Sequence, residues 1–293
     1  MAKIGLIDVD GHNFPNLVMM KLSTYHKHRG DIVERWFGLN AYDRVYKSKV
    51  FDFTPDIETV IMADEIIEGG TGYNLRGALP SQAEHAFPDY WLYGITDTAY
   101  GFLTRGCPRG CKFCIVGEKE GLCSRKVADL NEFWDGQKTI KLLDPNLLAA
   151  NEAEALLQQL VKSRALVDFT QGLDVRLLDE TRAALIKNIR VKLIHFAWDN
   201  PKQDLTKQFQ KAKEWLGYDE RKLIVYVLTN FNSTHEEDLR RVYTLHELGF
   251  NPYIMIFDKG SAPRETRLLQ RWVNNRIIFK TCKRFEDYDP KKG

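Results

Sequence analysis

Between Tyr100 and Glu118 the chain reads YGFLTRGCPRGCKFCIVGE, which places three of its five cysteines, Cys107, Cys111 and Cys114, in a C-x3-C-x2-C array. Gly106, Pro108 and Gly110 let the backbone turn tightly, so three thiolates on one short loop can converge on a single inorganic centre. A [4Fe–4S] cluster held wholly by protein takes four cysteines, and Cys123 and Cys282 do not complete a ferredoxin spacing. A cluster on three thiolates leaves one iron without a protein ligand, as catalytic metal sites keep a position free for a small molecule. The competing reading is a zinc knuckle, which needs a fourth tetrahedral ligand, and no histidine lies between His85 and His195.

With the aromatic Phe113 directly before the last cysteine, the loop resembles the signature of the radical S-adenosylmethionine superfamily. That resemblance implies a [4Fe–4S] cluster and S-adenosylmethionine as cofactors. It implies that the open iron is chelated by the amino and carboxylate groups of S-adenosylmethionine, with Phe113 near the adenine. One electron then cleaves the sulfonium to methionine and a 5′-deoxyadenosyl radical, which abstracts hydrogen from a substrate that the sequence does not identify. A reducing partner such as a flavodoxin or ferredoxin follows from the same chemistry.

The remaining chain bounds this reading. Its 293 residues, 44% hydrophobic, are enough for one large or two ordinary domains with a real core. A net charge of +2 gives no whole-chain argument for nucleic-acid binding. The charge is uneven, however: residues 264–293 carry 9 Lys/Arg against 4 Asp/Glu. Arg267, Arg271, Arg276 and Lys280, interleaved with Trp272, Ile277, Ile278 and Phe279, either close the fold or meet an anionic substrate such as a nucleotide or RNA. No apolar run is long enough to span a membrane, and Asp8 and Asp10 interrupt the first apolar stretch too early for a signal peptide. The expectation is a cytoplasmic protein with no membrane partner.

Three segments are expected: 1–95, 96–263 and a basic extension, 264–293. In the first, strands at 3–9, 31–36, 42–46 and 64–68 and a helix from Pro15 to His28 predict a small Rossmann- or flavodoxin-like α/β domain. Asp10-Gly11-His12 and the glycine turn 69–72 resemble the cobalamin-binding domain that precedes the barrel in one branch of the superfamily. Pro15 stands at the sixth position of the D-x-H-x-x-G pattern, so His12 reads as part of a polar turn and cobalamin is not expected. Residues 80–88 read as a linker.

From about Tyr100 onward, six short apolar runs (100–103, 139–143, 165–170, 192–197, 223–228, 253–257) alternate with helical patterns at 152–162, 179–187, 202–216 and 234–248. Asn151, Asp179 and Thr234 are expected caps. The repetition predicts an α/β fold, a partial (β/α)6 TIM-type barrel, whose functional groups gather after each strand. Those positions hold Asp144 and Asn146, then Gln171, Asp174 and Arg176, then Trp198 and Asp199, and finally Asn230. The resemblance implies Asp144 and Asn146 near the methionine amino group, Arg176 on its carboxylate, Gln171 or Asp174 on the ribose and Asn230 at the adenine edge. The structural alternatives are a strand end for Asp144 and Asn146, an Asp174–Arg176 pair and core packing for Trp198. Cys123 and Cys282 read as buried small hydrophobes. Besides hydrogen abstraction on an unknown substrate, the sequence leaves open a cobalamin-dependent methyltransferase and a non-enzymatic iron–sulfur sensor that binds nucleic acid. Methylthio transfer to tRNA is a poorer third choice, because the chain lacks cysteines for a second cluster.

Overall fold

The computed structural model of the chain describes residues 1–11 and 14–291. His12, read above as part of a polar turn, lies outside the described residues. The strands are β1 (Lys3–Asp8), β2 (Ile32–Arg35), β3 (Tyr42–Ser48), β4 (Ala63–Gly69), β5 (Thr98–Gly101), β6 (Thr104–Arg105), β7 (Arg125–Lys126), β8 (Thr139–Leu142), β9 (Leu166–Leu173), β10 (Arg190–Ala197), β11 (Leu223–Thr229) and β12 (Asn251–Ile256). The helices are α1 (Leu17–His28), α2 (Ser81–Glu84), α3 (Val116–Glu120), α4 (Ala153–Ser163), α5 (Glu180–Asn188), α6 (Thr206–Leu216), α7 (His235–Glu247), α8 (Arg264–Asn274) and α9 (Arg276–Thr281). The chain divides into two compact units, one of residues 1–101 with 128–140 and the other of residues 102–127 with 141–293.

The first unit holds a parallel sheet in the order β2-β1-β3-β4. Helix α1 covers one face, with Ile4, Leu6, Met19 and Leu22 in a common cluster. Its cap is Asn16, whose side chain accepts from the Val18 and Met19 N–H groups. Pro15 therefore precedes the helix instead of sitting in its first turn. The other face buries Ile7, Tyr42 and Val45 under loop residues Ile57 and Ile61. The expected linker at 80–88 contains α2, whose Ala83 is buried in the α1 cluster. At the glycine turn, Gly70 has φ +92°, and a Cβ there would stand 2.3 Å from the Lys49 carbonyl oxygen. That position is a tight turn only glycine fits.

Six further strands form a sheet in the order β12-β11-β10-β9-β8-β5, and the division between the units falls within β8. Pairings β9–β10, β10–β11 and β11–β12 are parallel, with α5, α6 and α7 in their crossovers. Thr234 caps α7 through a capping box with Glu237, and Asp179 caps α5. Asn151 does not cap α4: Glu152 occupies that place without a side-chain bond. The first strand ends at Gly101, short of the expected Leu103, because Thr104–Arg105 turns into a separate antiparallel pair with Arg125–Lys126.

The tail finishes the sheet. Leu269, Trp272 and Val273 of α8 are buried, and the helix meets the outer edge of β12 with side chains. Asn274 Oδ1 accepts from the Ile254 N–H at 2.8 Å, while the Ile254 carbonyl accepts from Gln270 and Asn274 amides at 3.2 and 3.1 Å. An edge strand whose polar groups are met this way cannot template a further strand.

Candidate functional site

The cysteine loop is shaped at its base. The β6–β7 ladder brackets residues 106–124, and α3 brings Glu120 back to the start of the loop. Its carboxylate pairs with Arg105 Nη1 at 2.9 Å and accepts the Gly106 N–H at 3.0 Å, while the Cys107 N–H donates to the Gly121 carbonyl at 3.2 Å. Gly106 has φ +85°, and a Cβ would lie 2.2 Å from the Cys123 carbonyl oxygen. Backbone alone fits there, so the first cysteine is presented from a glycine that nothing can replace without moving the loop. Glu120 escaped the sequence reading because its partners lie fourteen and fifteen residues back along the chain, a spacing no local pattern marks. Cys123 is exposed and Cys282 half-buried, so neither is the buried hydrophobe expected of it.

Cys107, Cys111 and Cys114 line a cavity of about 1130 Å3 in the second unit, walled by the inner face of the parallel sheet. Phe113 lines it too and meets Phe231 edge-on at 5.5 Å, which in turn meets Phe257 at 4.9 Å. Asn146 lies on the wall, 3% exposed, with Nδ2 donating to Cys107 Sγ at 3.5 Å. Its Oδ1 is buried and without a hydrogen-bond partner. An orphaned buried acceptor beside a thiol is a costly arrangement that a ligand donor would relieve. Gln171 is exposed and lines the cavity.

The other residues expected at the site are engaged by the protein. Asp144 turns away from the cavity and is buried under Thr104, accepting from the Leu103 N–H at 3.3 Å, the Thr104 N–H at 2.5 Å and its hydroxyl at 2.7 Å. It thus pins the segment that leads into the cysteine loop. Burial pushes its carboxyl up to about 6 against those hydrogen bonds. Both oxygens of Asp174 take guanidinium donors, Arg176 Nε at 2.7 Å and Nη2 at 3.1 Å and Arg109 Nε at 2.5 Å. Burial pushes Asp174 up, but Arg176 and then Arg109 prevail and hold it below the usual carboxylate range. Arg176 Nη1 donates to Gln203 at 2.9 Å, so its fork closes on Asp174 and Gln203 within the cavity wall. Asn230 adopts φ +61°, a left-handed conformation asparagine tolerates, and its amide donates to the Phe257 carbonyl at 2.8 Å. Trp198 is core, fully buried and stacked on Phe209 at 5.6 Å.

Asp199 adds negative charge near the thiols. Burial pushes its carboxyl up to about 6, against the pull of Arg241 and Arg176. Burial, followed by the charge of Asp199 and the neighbouring thiols, pushes the Cys111 thiol up; burial, Cys107 and Asp199 do the same at Cys114 despite a hydrogen bond from the backbone at Val116. Among the described residues, no three His, Cys, Asp or Glu side chains stand close enough to hold one metal ion. Deeper in the cavity His195 donates from Nδ1 to the Phe169 carbonyl at 2.8 Å and stacks on Tyr226 at 5.1 Å, while burial holds its pKa below the usual value. Sequence reading missed His195 because it lies inside an apolar strand pattern.

No protein-family model matches the chain, and no curated protein matches it in sequence. Among the described residues no helix is long and apolar enough to cross a membrane. In fold the chain is similar to the solved structure of the radical S-adenosylmethionine methyltransferase TsrM from Kitasatospora setae, with cobalamin and a [4Fe–4S] cluster bound. The TM-score is 0.66 at 12% sequence identity, over 87% of this chain and 74% of that one. The likeness is one of fold: a mixed α/β chain with parallel sheets.

Proposed function

We propose that the chain is a radical S-adenosylmethionine enzyme in which Cys107, Cys111 and Cys114 hold a [4Fe–4S] cluster at the mouth of a partial β/α barrel. The observation that carries this reading is that three thiols, with an orphaned acceptor beside the first, line one cavity at the C-terminal ends of parallel strands. Likeness of fold to a radical S-adenosylmethionine methyltransferase supports it.

The residues present fit both cofactors. The three thiols would serve as cluster ligands, and Asn146 Oδ1 would accept from the amino group of S-adenosylmethionine while its Nδ2 stays on Cys107. Phe113, braced by Phe231, offers an aromatic face to the adenine, and Gln171 an amide to the ribose. Asp144, Asp174 with Arg176, and Asn230 act as positioning residues, fixing the loop base, the rim after β9 and the turn after β11. When bound, the cluster and S-adenosylmethionine supply reductive cleavage to a 5′-deoxyadenosyl radical. The protein holds the reactants in register and lines the cavity with apolar side chains that exclude water. Its electron comes from a reducing protein of the flavodoxin or ferredoxin kind.

Anaerobic reconstitution with iron and sulfide tests the proposal. The expected outcome is one cluster per chain whose EPR spectrum, after reduction with dithionite, changes on adding S-adenosylmethionine; a loaded, reduced cluster with an unchanged spectrum contradicts it. A second reading, cobalamin-dependent methyl transfer, is favoured by one observation: the similar structure carries cobalamin as well. The first unit has a cavity of about 570 Å3 at the C-terminal ends of β1 and β2, lined by Asp8, Arg35, Trp36 and Tyr93. Purification from cells fed hydroxocobalamin decides it, since bound corrinoid absorbance supports methyl transfer and protein without corrinoid absorbance removes it.

A further inference from the structure

The inner wall of the second unit's cavity is built in layers. Strand register puts His195, Ile224 and Asn251 side by side across β10, β11 and β12. Ala197, Tyr226 and Tyr253 form the next layer, and Leu228 lies beside Met255 above them. All line the cavity, as alternate residues of parallel strands do. The cysteine loop meets the C-terminal ends of the strands, where Asn146 follows β8 and donates to Cys107 and Asp174 follows β9 and pairs with Arg109, so the His195 layer lies deeper in the trough than the thiols.

The ends of this trough carry charge differently: the thiol end holds both signs, Arg109, Lys112 and Arg176 beside three carboxylates, whereas the lowest layer holds a cation with no lining carboxylate at its level. The lining carboxylates, Asp174, Asp199 and Asp258, all follow the last residues of β9, β10 and β12. At the lowest layer the lining instead contains Arg276, from the junction of α8 and α9. With the Asn251 amide turned so that its oxygen faces Arg276, the guanidinium donates to it from Nε and Nη2 at 3.2 and 3.3 Å, a neutral partner that leaves the charge of this exposed arginine for a ligand. The space between is aromatic and apolar: Tyr226 meets Tyr253 edge-on at 5.9 Å, and Tyr253 and Met255 are 41% and 45% exposed. The titratable neighbours of this layer are His195, with Asp168 at 3.8 Å from its Nδ1, and the two tyrosines.

We propose that this lower half of the cavity is the substrate subsite and takes an aromatic carboxylic acid. The carboxylate sits on Arg276, and the ring lies against Tyr226, Tyr253 and Met255, its far side directed toward the thiols. A guanidinium matches a carboxylate bidentately, and aromatic walls fix the body of a ligand while one polar group fixes its direction. The assignment deepens the radical S-adenosylmethionine reading by naming the substrate class of the same cavity.

The test is photolabelling of the full chain with 4-benzoylbenzoate, with adducts mapped by peptide mass spectrometry. Labelling of Met255 or Tyr253 is expected, reduced about tenfold, the equivalent of about 1.4 kcal/mol, in Arg276→Gln. The uncharged 4-benzoylbenzamide on the unaltered chain should label as weakly, which checks the charge requirement without any variant. Equal labelling by the amide or in Arg276→Gln, or adducts only outside the cavity lining, overturns the subsite. 5′-Deoxyadenosine is measured in the same preparation. Labelling without its formation keeps the subsite and removes the radical chemistry; formation without labelling does the reverse.

Discussion

The two parallel sheets of this chain are covered by different means. In the second unit α5, α6 and α7 fill the crossovers and bury Ile186, Phe209, Leu216, Val242 and Leu245. In the first unit only the β1–β2 crossover is helical, and the chain passes from β2 to β3 and from β3 to β4 in loops. Phe37, Leu39, Phe53 and Val60 of those loops remain 57–80% exposed. Helical cover dries one face of a sheet and lets the opposite face carry fixed polar groups, because the frame beneath them does not yield. Loop cover leaves large apolar side chains at the surface and fixes little. The candidate site stands on the sheet with helical cover.

That contrast can be broken at its strongest point. Arg241 of α7 is fully buried, pairs with Asp238 at 2.5 Å, and donates to the carbonyls of Trp198, Asp199 and Leu228. Removing it leaves a buried carboxylate and three carbonyls unpaired, so Arg241→Met should cost about 3–5 kcal/mol by denaturant unfolding. A loss below 1 kcal/mol would mean that the helical frame is not rigid. Asp144 sharpens the comparison through pH. Burial raises its carboxyl from 3.8 to about 6, so the folded chain binds that proton more tightly than the unfolded one. Its contribution is fully present below about pH 4 and is lost as pH rises through about 6, a loss of roughly 2–3 kcal/mol. Asp144→Asn, less stable throughout, should lack that slope in melts at pH 4.5 and 7; an unchanged slope assigns it elsewhere. The smallest effect belongs to the loop-covered face, where Phe53→Ser with Leu39→Ser should change stability by less than about 0.5 kcal/mol each. A loss above 1 kcal/mol would show that the face is covered in solution and that the contrast fails.

Much of the fold was legible from periodicity. Every apolar run with clear alternation or helical spacing became an element, within one to four residues at its ends, and Asp179 and Thr234 cap as their chemistry directs. Where two readings stood open, partners distant in sequence decide what the side chains touch. Asp144 follows a strand, where position alone suggests a ligand; what turns it from the cavity is Thr104, forty residues earlier. Asp174 and Arg176 satisfy each other because Arg109 and Gln203 complete the pair. Arg276 read only as one basic residue of the tail, and its place in the cavity depends on α8 folding back along β12. The three cysteines and Phe113 needed no distant partner to be noticed, since their spacing is itself the signal.

The most direct measurement is 5′-deoxyadenosine formed by the reconstituted chain with S-adenosylmethionine and dithionite, with a Cys114→Ala control prepared alongside. The account predicts formation by the native chain, in the presence of 4-benzoylbenzoate or a related aromatic acid if not in its absence, and none by Cys114→Ala. Equal formation by the two proteins, or a loaded cluster that neither binds nor cleaves S-adenosylmethionine, would contradict the claim that this loop leaves one iron open.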